Sequence, residues 1–344
     1  MVPKSKRVSI KDIAAYTGYS IATVSRVING TNKFYSEKAK IEIEEAIRKL
    51  GYHPNILAKG LKEGRTRTIA YLVPQIDDYY TSVYIGMQNE AYLHGYSIVV
   101  ISSDYNINQE RVNISHIIEN NYDGIIVVTG LLNEESNENL AEIFAGIPVV
   151  LIEGMHSYEN ILQVCVDVES VCERAVNLLI ELGHKRIAYL SAPCRFETLR
   201  YRYQGYVKAL KKHEIEPDPS LIFFDSGLEL SRFKDCYAIV HAVLQKSDFT
   251  AMFIMSDWAA FTAIRVANEM GLRVPEDISI IGFDNLPLTE FTQPALTTIS
   301  QNSEILGTYG IQLILDKLEG CDVEDVFLDA DLIIRQSVAQ VKKV

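Results

Sequence analysis

The chain has 344 residues, 48% of them hydrophobic and 23% charged, with a formal net charge of −12. That length supports two or three domains with cores of their own, and no apolar run approaches the roughly 20 residues that span a bilayer, which argues against a membrane protein. The charge is divided: residues 1–67 hold 14 Lys and Arg against 6 Asp and Glu, a balance of +8, whereas residues 68–344 carry −20. A basic head on an acidic body puts a phosphate-seeking field at one end and repels the rest from nucleic acid.

In the head, Ser9 and Asp12 form a capping box that opens a helix with Ile10, Ile13 and Ala14 on its apolar side. Thr17-Gly18-Tyr19 makes a tight turn, and Ser20 caps a second helix that hides Val24, Val27 and Ile28. Ile21, Ala22, Ser25, Arg26 and Asn29 remain outside, and their i, i+1, i+4, i+5, i+8 spacing lines them on one stripe. Two short helices, a glycine turn and a polar outward stripe describe a helix-turn-helix whose second helix enters a DNA major groove. Arg26 suits paired hydrogen bonds to guanine, and the small apolar Ile21 and Ala22 can pack on thymine methyls. Ser20, Thr23, Ser25 and Asn29 suit phosphate and sugar contacts that set the register.

Ser36 caps a third helix with Ala39, Ile43, Ala46, Ile47 and Leu50 inward, and Gly51 and Pro54 end it. Asn55 can cap a short fourth helix over 56–62, too poor in apolar surface and weakened by Gly60 to stand alone. It reads as a hinge. The expected division is therefore a DNA-binding domain at 1–54, a hinge helix and linker at 55–67, and a core at 68–340.

From Thr68 the pattern alternates. Apolar strand runs are expected at 69–73, 98–101, 125–128, 147–152, 187–190, 221–224, 251–255, 278–283 and 296–299. Amphipathic stretches at 83–94, 168–182, 203–212, 231–245, 258–270 and 304–318 fall between them. Continuous apolar strands separated by helices predict doubly wound parallel α/β sheets, better placed in two lobes than in one.

Enzyme chemistry finds little footing. There is no G-x-G-x-x-G after the early strands, no phosphate-binding G-x-x-x-x-G-K-[ST] and no G-x-S-x-G elbow. Asp257 and Asp284 could form a catalytic pair, but nothing specifies a nucleophile. The five cysteines are scattered without a C-x-x-C pair, and no two of the seven histidines have metal-ligand spacing. Neither a metal nor a cofactor is expected.

The stretch Ala22-Thr23-Val24-Ser25-Arg26-Val27-Ile28-Asn29-Gly30 closely resembles the signature of the LacI/GalR family of bacterial repressors. The likeness continues through Asp123-Gly124-Ile125-Ile126, Gly183-His184-Lys185-Arg186, Val274-Pro275-Glu276-Asp277, Gly282-Phe283-Asp284-Asn285 and Pro294-Ala295-Leu296-Thr297-Thr298. It implies a helix-turn-helix headpiece followed by a periplasmic-binding-protein-like core, two lobes crossed by three chain segments with an effector between them. By that likeness one lobe holds about 68–166 plus 298–325, and the other about 167–297 plus 326–340.

The resemblance also implies roles. Leu61 matches the leucine that family members wedge into the minor groove, with Ala58 beside it and Lys59 and Lys62 near phosphates. Arg202 and Asp284 match the anchors of ligand hydroxyls, Asp257 is a third candidate, and Tyr79 and Tyr80 contribute from the other lobe. Arg195, Phe196 and Trp258 are lesser contributors. Both aspartates follow apolar strands at their C-terminal ends, where parallel α/β sheets place ligands. Three positions depart from the usual pattern: Asp78 replaces a proline, Ser256 a frequent asparagine, and Trp258 an aliphatic residue.

The function so implied is a sequence-specific regulator, a repressor, whose operator affinity answers to a small-molecule effector such as a sugar or related metabolite. It would act in the cytoplasm as a homodimer on pseudo-palindromic double-stranded DNA; no leucine-heptad tail follows residue 340 to favour a tetramer. Some family members answer to a phosphocarrier protein instead. A transport-type solute-binding protein would share the core but not the DNA-reading head.

Overall fold

A computed structural model describes residues 8–30, 35–52, 64–128, 143–144, 146–153, 161–194, 197–228, 233–246 and 248–341. The chain divides into two compact units, Met1–Thr66 and Arg67–Val344.

The first unit contains α1 (Ile10–Thr17), α2 (Ile21–Asn29) and α3 (Glu37–Leu50). Asp12 accepts from both the backbone N–H and the hydroxyl of Ser9, at 2.8 and 2.6 Å, which fixes the start of α1. Gly18 closes it in the left-handed conformation, φ 75°, where a side chain would be strained. Ser20 accepts from the Thr23 N–H at 3.1 Å, and Ser36 from that of Ala39 at 3.2 Å, so both later helices begin on side-chain caps. Ile13, Val24, Val27, Ile43 and Ala46 form the buried centre, with Ile10, Ala14, Ile28, Ile47 and Leu50 packed around it. Tyr19 ties the turn to α3 through its hydroxyl, 2.7 Å from Glu42 Oε2. The hinge candidates Ala58, Lys59, Leu61 and Lys62 lie outside the described residues.

The second unit is built on two six-stranded sheets. The first orders β11 (Val326–Leu328), β5 (Leu162–Val166), β4 (Val149–Ile152), β3 (Gly124–Val127), β1 (Thr68–Val73) and β2 (Ser97–Ser102), every pair parallel. The second orders β12 (Asp331–Ile333), β10 (Thr297–Ser300), β9 (Ser279–Phe283), β8 (Ala251–Ile254), β6 (Ile187–Ser191) and β7 (Ile222–Phe224). All its pairs are parallel except β12 on β10. Strands β3, β4, β6, β8, β9 and β10 are buried along their whole length, and β3, β4 and β8 accordingly read as unbroken apolar runs, whereas β10 buries Thr297, Thr298 and Ser300.

Helices α4 (Asp78–Leu93) and α5 (Ile107–Glu119) belong to the first lobe; α6 (Val168–Glu181), α7 (Glu197–Lys212), α8 (Phe233–Leu244) and α9 (Asp257–Glu269) belong to the second. Helix α10 (Ser303–Leu318) returns to the first lobe and packs on α4. Two glycines permit that approach: a Cβ on Gly86 would sit 1.9 Å from the Glu304 carbonyl oxygen, and one on Gly307 2.0 Å from that of Val83. The chain passes between lobes three times, after β5, after β10 and between β11 and β12.

Two lobe boundaries differ from expectation. Strand β10 lies wholly in the second sheet, so that crossing falls after Ser300, not at 298. Val326–Leu328, expected in the second lobe, instead extends the first sheet by pairing with Val164–Val166. The chain after it does join the second lobe, where Val341 N–H donates to Leu182 O at 2.9 Å and His184 Nε2 lies 3.0 Å from Ala339 O. Helix α5 and strand β5 were absent from the expected elements. Glu110 and Asn113 are buried on α5, and Gln163 on β5, so the apolar period that would betray each element is broken.

Candidate functional site

On the three-helix unit the second helix leaves Ile21, Ala22 and Arg26 exposed, Ile21 at 47%, while Val24 and Val27 face inward. Thr23 and Ser25 are half-buried, and the Thr23 hydroxyl sits 2.9 Å from that of its cap Ser20. The stripe of Ile21, Ala22 and Arg26 is therefore presented by a helix capped at one end by Ser20 and at the other by Gly30, φ 61°. The Asn29 side chain lies outside the described residues.

In the second unit the C-terminal strand ends of both sheets meet. After β1, Asp77 caps α4 by accepting from the Tyr80 N–H at 2.9 Å, which turns Asp78, Tyr79 and Tyr80 toward the meeting place. The two tyrosine rings pack edge to face, centroids 5.3 Å apart. After β4 stands Glu153, and after β10 stands Gln301, whose Nε2 is 3.3 Å from Glu153 Oε1. From the second lobe come Arg202 of α7, Trp258 at the start of α9, and Asp284 after β9.

Arg202 is held on three sides. One Nη donates to the Met255 carbonyl, the guanidinium lies 3.6 Å from the centroid of Phe283, and Nη2 is 4.0 Å from Asp284 Oδ1. Burial pushes the Asp284 carboxyl well above its ordinary range, and the Arg202 guanidinium opposes that shift. Glu153 is raised by burial too, against the pull of the Tyr79 hydroxyl and Arg202. Burial raises the hydroxyls of Tyr79 and Tyr80, reinforced by the nearby Glu153.

Backbone conformation is unusual at the same strand ends, as it also is at Arg67, Asp104, Tyr105, Asn121 and Glu214. Glu153 has φ 65°, Asp284 111°, Asn285 52° and Asn302 55°, a left-handed region that non-glycine residues seldom occupy. Such strain gathers at ligand clamps, where surrounding structure over-determines it.

The expected site residues are brought together unequally. Tyr79, Arg202 and Asp284 converge, with Tyr80 packed against Tyr79. Asp257 is different: it is 0% exposed, and both oxygens are committed within the protein, to the Leu286 N–H at 2.8 Å and the Thr298 hydroxyl at 2.6 Å. It braces the loop after β9 from behind and does not reach the cleft surface. Nor does it cap α9, because Ser256 does, accepting from Ala259 N–H. Trp258 bridges the lobes, its indole N–H donating to Asp78 Oδ2 at 3.0 Å. Two of the three unusual residues, Asp78 and Trp258, are thus each other's partners across the cleft. Arg195 and Phe196 lie outside the described residues.

Glu153 and Gln301 were missed. Glu153 directly follows the apolar run 147–152 and Gln301 lies two residues past the expected strand 296–299, so the rule that ligands gather at C-terminal strand ends points to both. Among the described residues no group of three or more His, Cys, Asp or Glu could hold a metal ion, and no helix is long and apolar enough to cross a membrane.

Comparison with known proteins places this architecture. Residues 9–55 match the bacterial regulatory proteins of the lacI family, and residues 176–338 match the periplasmic binding protein-like domain. The HTH-type transcriptional repressor CytR of Escherichia coli (strain K12) is 33% identical over 345 residues, covering 96% of each chain. The chain belongs to the lacI family. The lac repressor dimer bound to operator and the anti-inducer ONPF shares the fold, with a TM-score of 0.84 at 24% identity over 97% of this chain and 100% of that one. The transcriptional regulator CelR in complex with cellobiose is 27% identical, with a TM-score of 0.69 over 96% of this chain and all of its own. This lacI-family chain is accordingly a DNA-binding transcriptional regulator, and its relatives are named as regulators, not enzymes.

Proposed function

We propose that this lacI-family chain represses transcription as a homodimer in the cytoplasm, and that a small-molecule effector, a sugar or related metabolite, sets its grip on the operator. The observation that carries the reading is the convergence of Tyr79, Glu153, Arg202, Asp284 and Gln301 on the facing ends of two sheets, in a chain that also presents an exposed, capped second helix. Carboxylates, a guanidinium and aromatic faces suit a hydroxyl-bearing ligand, and the similar regulator CelR forms a complex with cellobiose.

On the DNA side, Arg26 reads guanine, Ile21 and Ala22 meet thymine methyls, and Ser20, Thr23, Ser25 and Asn29 hold the backbone. Ala58, Lys59, Leu61 and Lys62 serve the minor groove between half-sites. Two copies related by a two-fold axis require half-sites about one helical turn apart or a multiple of it. Effector binding alters how the lobes meet, and with it the spacing of the paired headpieces. Coupling of about 1–3 kcal/mol is typical for such linkage, and it is reciprocal, so operator changes effector affinity by the same factor.

The test is a gel-shift titration of the full chain on its own promoter with one half-site scrambled. A loss of about a hundredfold or more supports a symmetric dimer; indifference to the scrambling refutes it.

A further inference from the structure

The polar cluster between the lobes carries information about charge. We propose that it selects an uncharged, hydroxyl-rich effector and rejects phosphorylated ones, with Glu153 and Gln301 as the residues that make the selection. This deepens the effector reading above and rests on it.

Two atoms of the cluster are buried without a hydrogen-bond partner among the described residues: Arg202 Nε and Gln301 Oε1. Their residues are 7% and 1% exposed. The great majority of buried polar atoms in native proteins are paired, so two orphans in one place mark where a bound group belongs. Their demands differ: the Arg202 Nε–H can only donate, and the Gln301 carbonyl can only accept. Glu153 stands beside them, its carboxyl facing the Tyr79 hydroxyl and lying 3.3 Å from Gln301 Nε2.

A hydroxyl group donates and accepts at once and meets both demands. A phosphate accepts only, leaving the Gln301 carbonyl unanswered, and an ammonium donates only, leaving the Arg202 Nε–H unanswered. Charge points the same way. The carboxyls of Glu153, Asp284 and Asp77 act on one another, and among the described residues Arg202 is the one cation set against them at Asp284. One of its Nη atoms donates to Met255 O and Nη2 lies 4.0 Å from Asp284 Oδ1, so a phosphate on the unpartnered Nε edge would sit beside that carboxyl. A dianion brought here would add negative charge to acidic groups that already crowd one another.

The experiment is a thermal-shift and fluorescence titration of the full chain, the single tryptophan, Trp258, serving as reporter at the cleft. Probes are matched pairs: ribose and ribose 5-phosphate, glucose and glucose 6-phosphate, nucleosides and their 5′-monophosphates. In at least one pair the uncharged member should raise Tm and alter Trp258 emission, with its phosphate at least a hundredfold weaker. Glu153→Gln, which keeps the shape but not the charge, should narrow that ratio about tenfold, and Gln301→Leu should weaken the uncharged member about tenfold. A phosphorylated member that binds as well as its partner overturns the charge selection and leaves the effector reading intact. Silence across both series overturns the effector reading, and this inference with it.

Discussion

The two functional surfaces of this chain solve opposite problems. The three-helix unit keeps a wholly apolar centre of Ile13, Val24, Val27, Ile43 and Ala46 and leaves Ile21, Ala22 and Arg26, the side chains we propose read DNA, in solvent. The two-sheet unit does the reverse, drawing Glu153, Arg202 and Gln301 into its interior, each at most 9% exposed. On the first surface function and stability are carried by different residues. On the second they are carried by the same ones, because a buried charge must be held by its neighbours before it can hold a ligand.

That contrast can be broken most forcefully at Asp257. Asp257→Ala strips the acceptor from the Leu286 N–H and the Thr298 hydroxyl in a site with no access to water, and should cost about 3 kcal/mol in a urea unfolding titration. A cost below about 0.5 kcal/mol would mean the loop after β9 is braced by something else. Arg26→Ala should do the opposite. It should weaken specific operator binding by about 1–3 kcal/mol, read by gel shift, while the unfolding midpoint stays where it was.

A pH titration sharpens the comparison further. Burial raises Asp257, Asp284 and Glu153 above the ordinary carboxyl value of about 4, so the folded core keeps protons that the unfolded chain has released. Their contribution is therefore fully present below pH about 4 and is lost as pH climbs from there through the raised values. Asp284→Asn should flatten that decline in calorimetric scans of the full chain; an unchanged slope would remove Asp284 from the account. The smallest effect is expected at the cleft edge. Trp258→Phe keeps the edge-to-face contact with Phe261, centroids 5.7 Å apart, and deletes the bond to Asp78. Tm should fall by about 2 °C or less, since that pair is open to solvent.

The same contrast explains what could be read from the sequence. In the headpiece, caps, turn and stripe are all local, set by residues three or four apart, so Ser9, Gly18, Ser20 and the outward positions of α2 were legible directly. The lobes were legible as alternating apolar runs, but their boundaries were not. Pairing of Val326–Leu328 with β5 joins positions some 160 residues apart, and no local pattern announces it. For the cleft, family likeness nominated Arg202, Asp284 and Tyr79, which the fold brings together, and also Asp257, whose position at the start of a helix hides that both its oxygens face inward. Glu153 and Gln301, 148 positions apart in the chain, come together through a crossing between lobes. Only the fold makes them neighbours.

The central claim is that a basic headpiece reads a particular DNA sequence under the control of the core behind it. The most direct measurement is the affinity of the full chain for its own promoter and for random duplex of equal length, at one physiological salt concentration. The account predicts a preference of roughly a thousandfold or more for the promoter. Equal affinity for both, falling together as salt rises, would mean the headpiece only counts phosphates, and would contradict it.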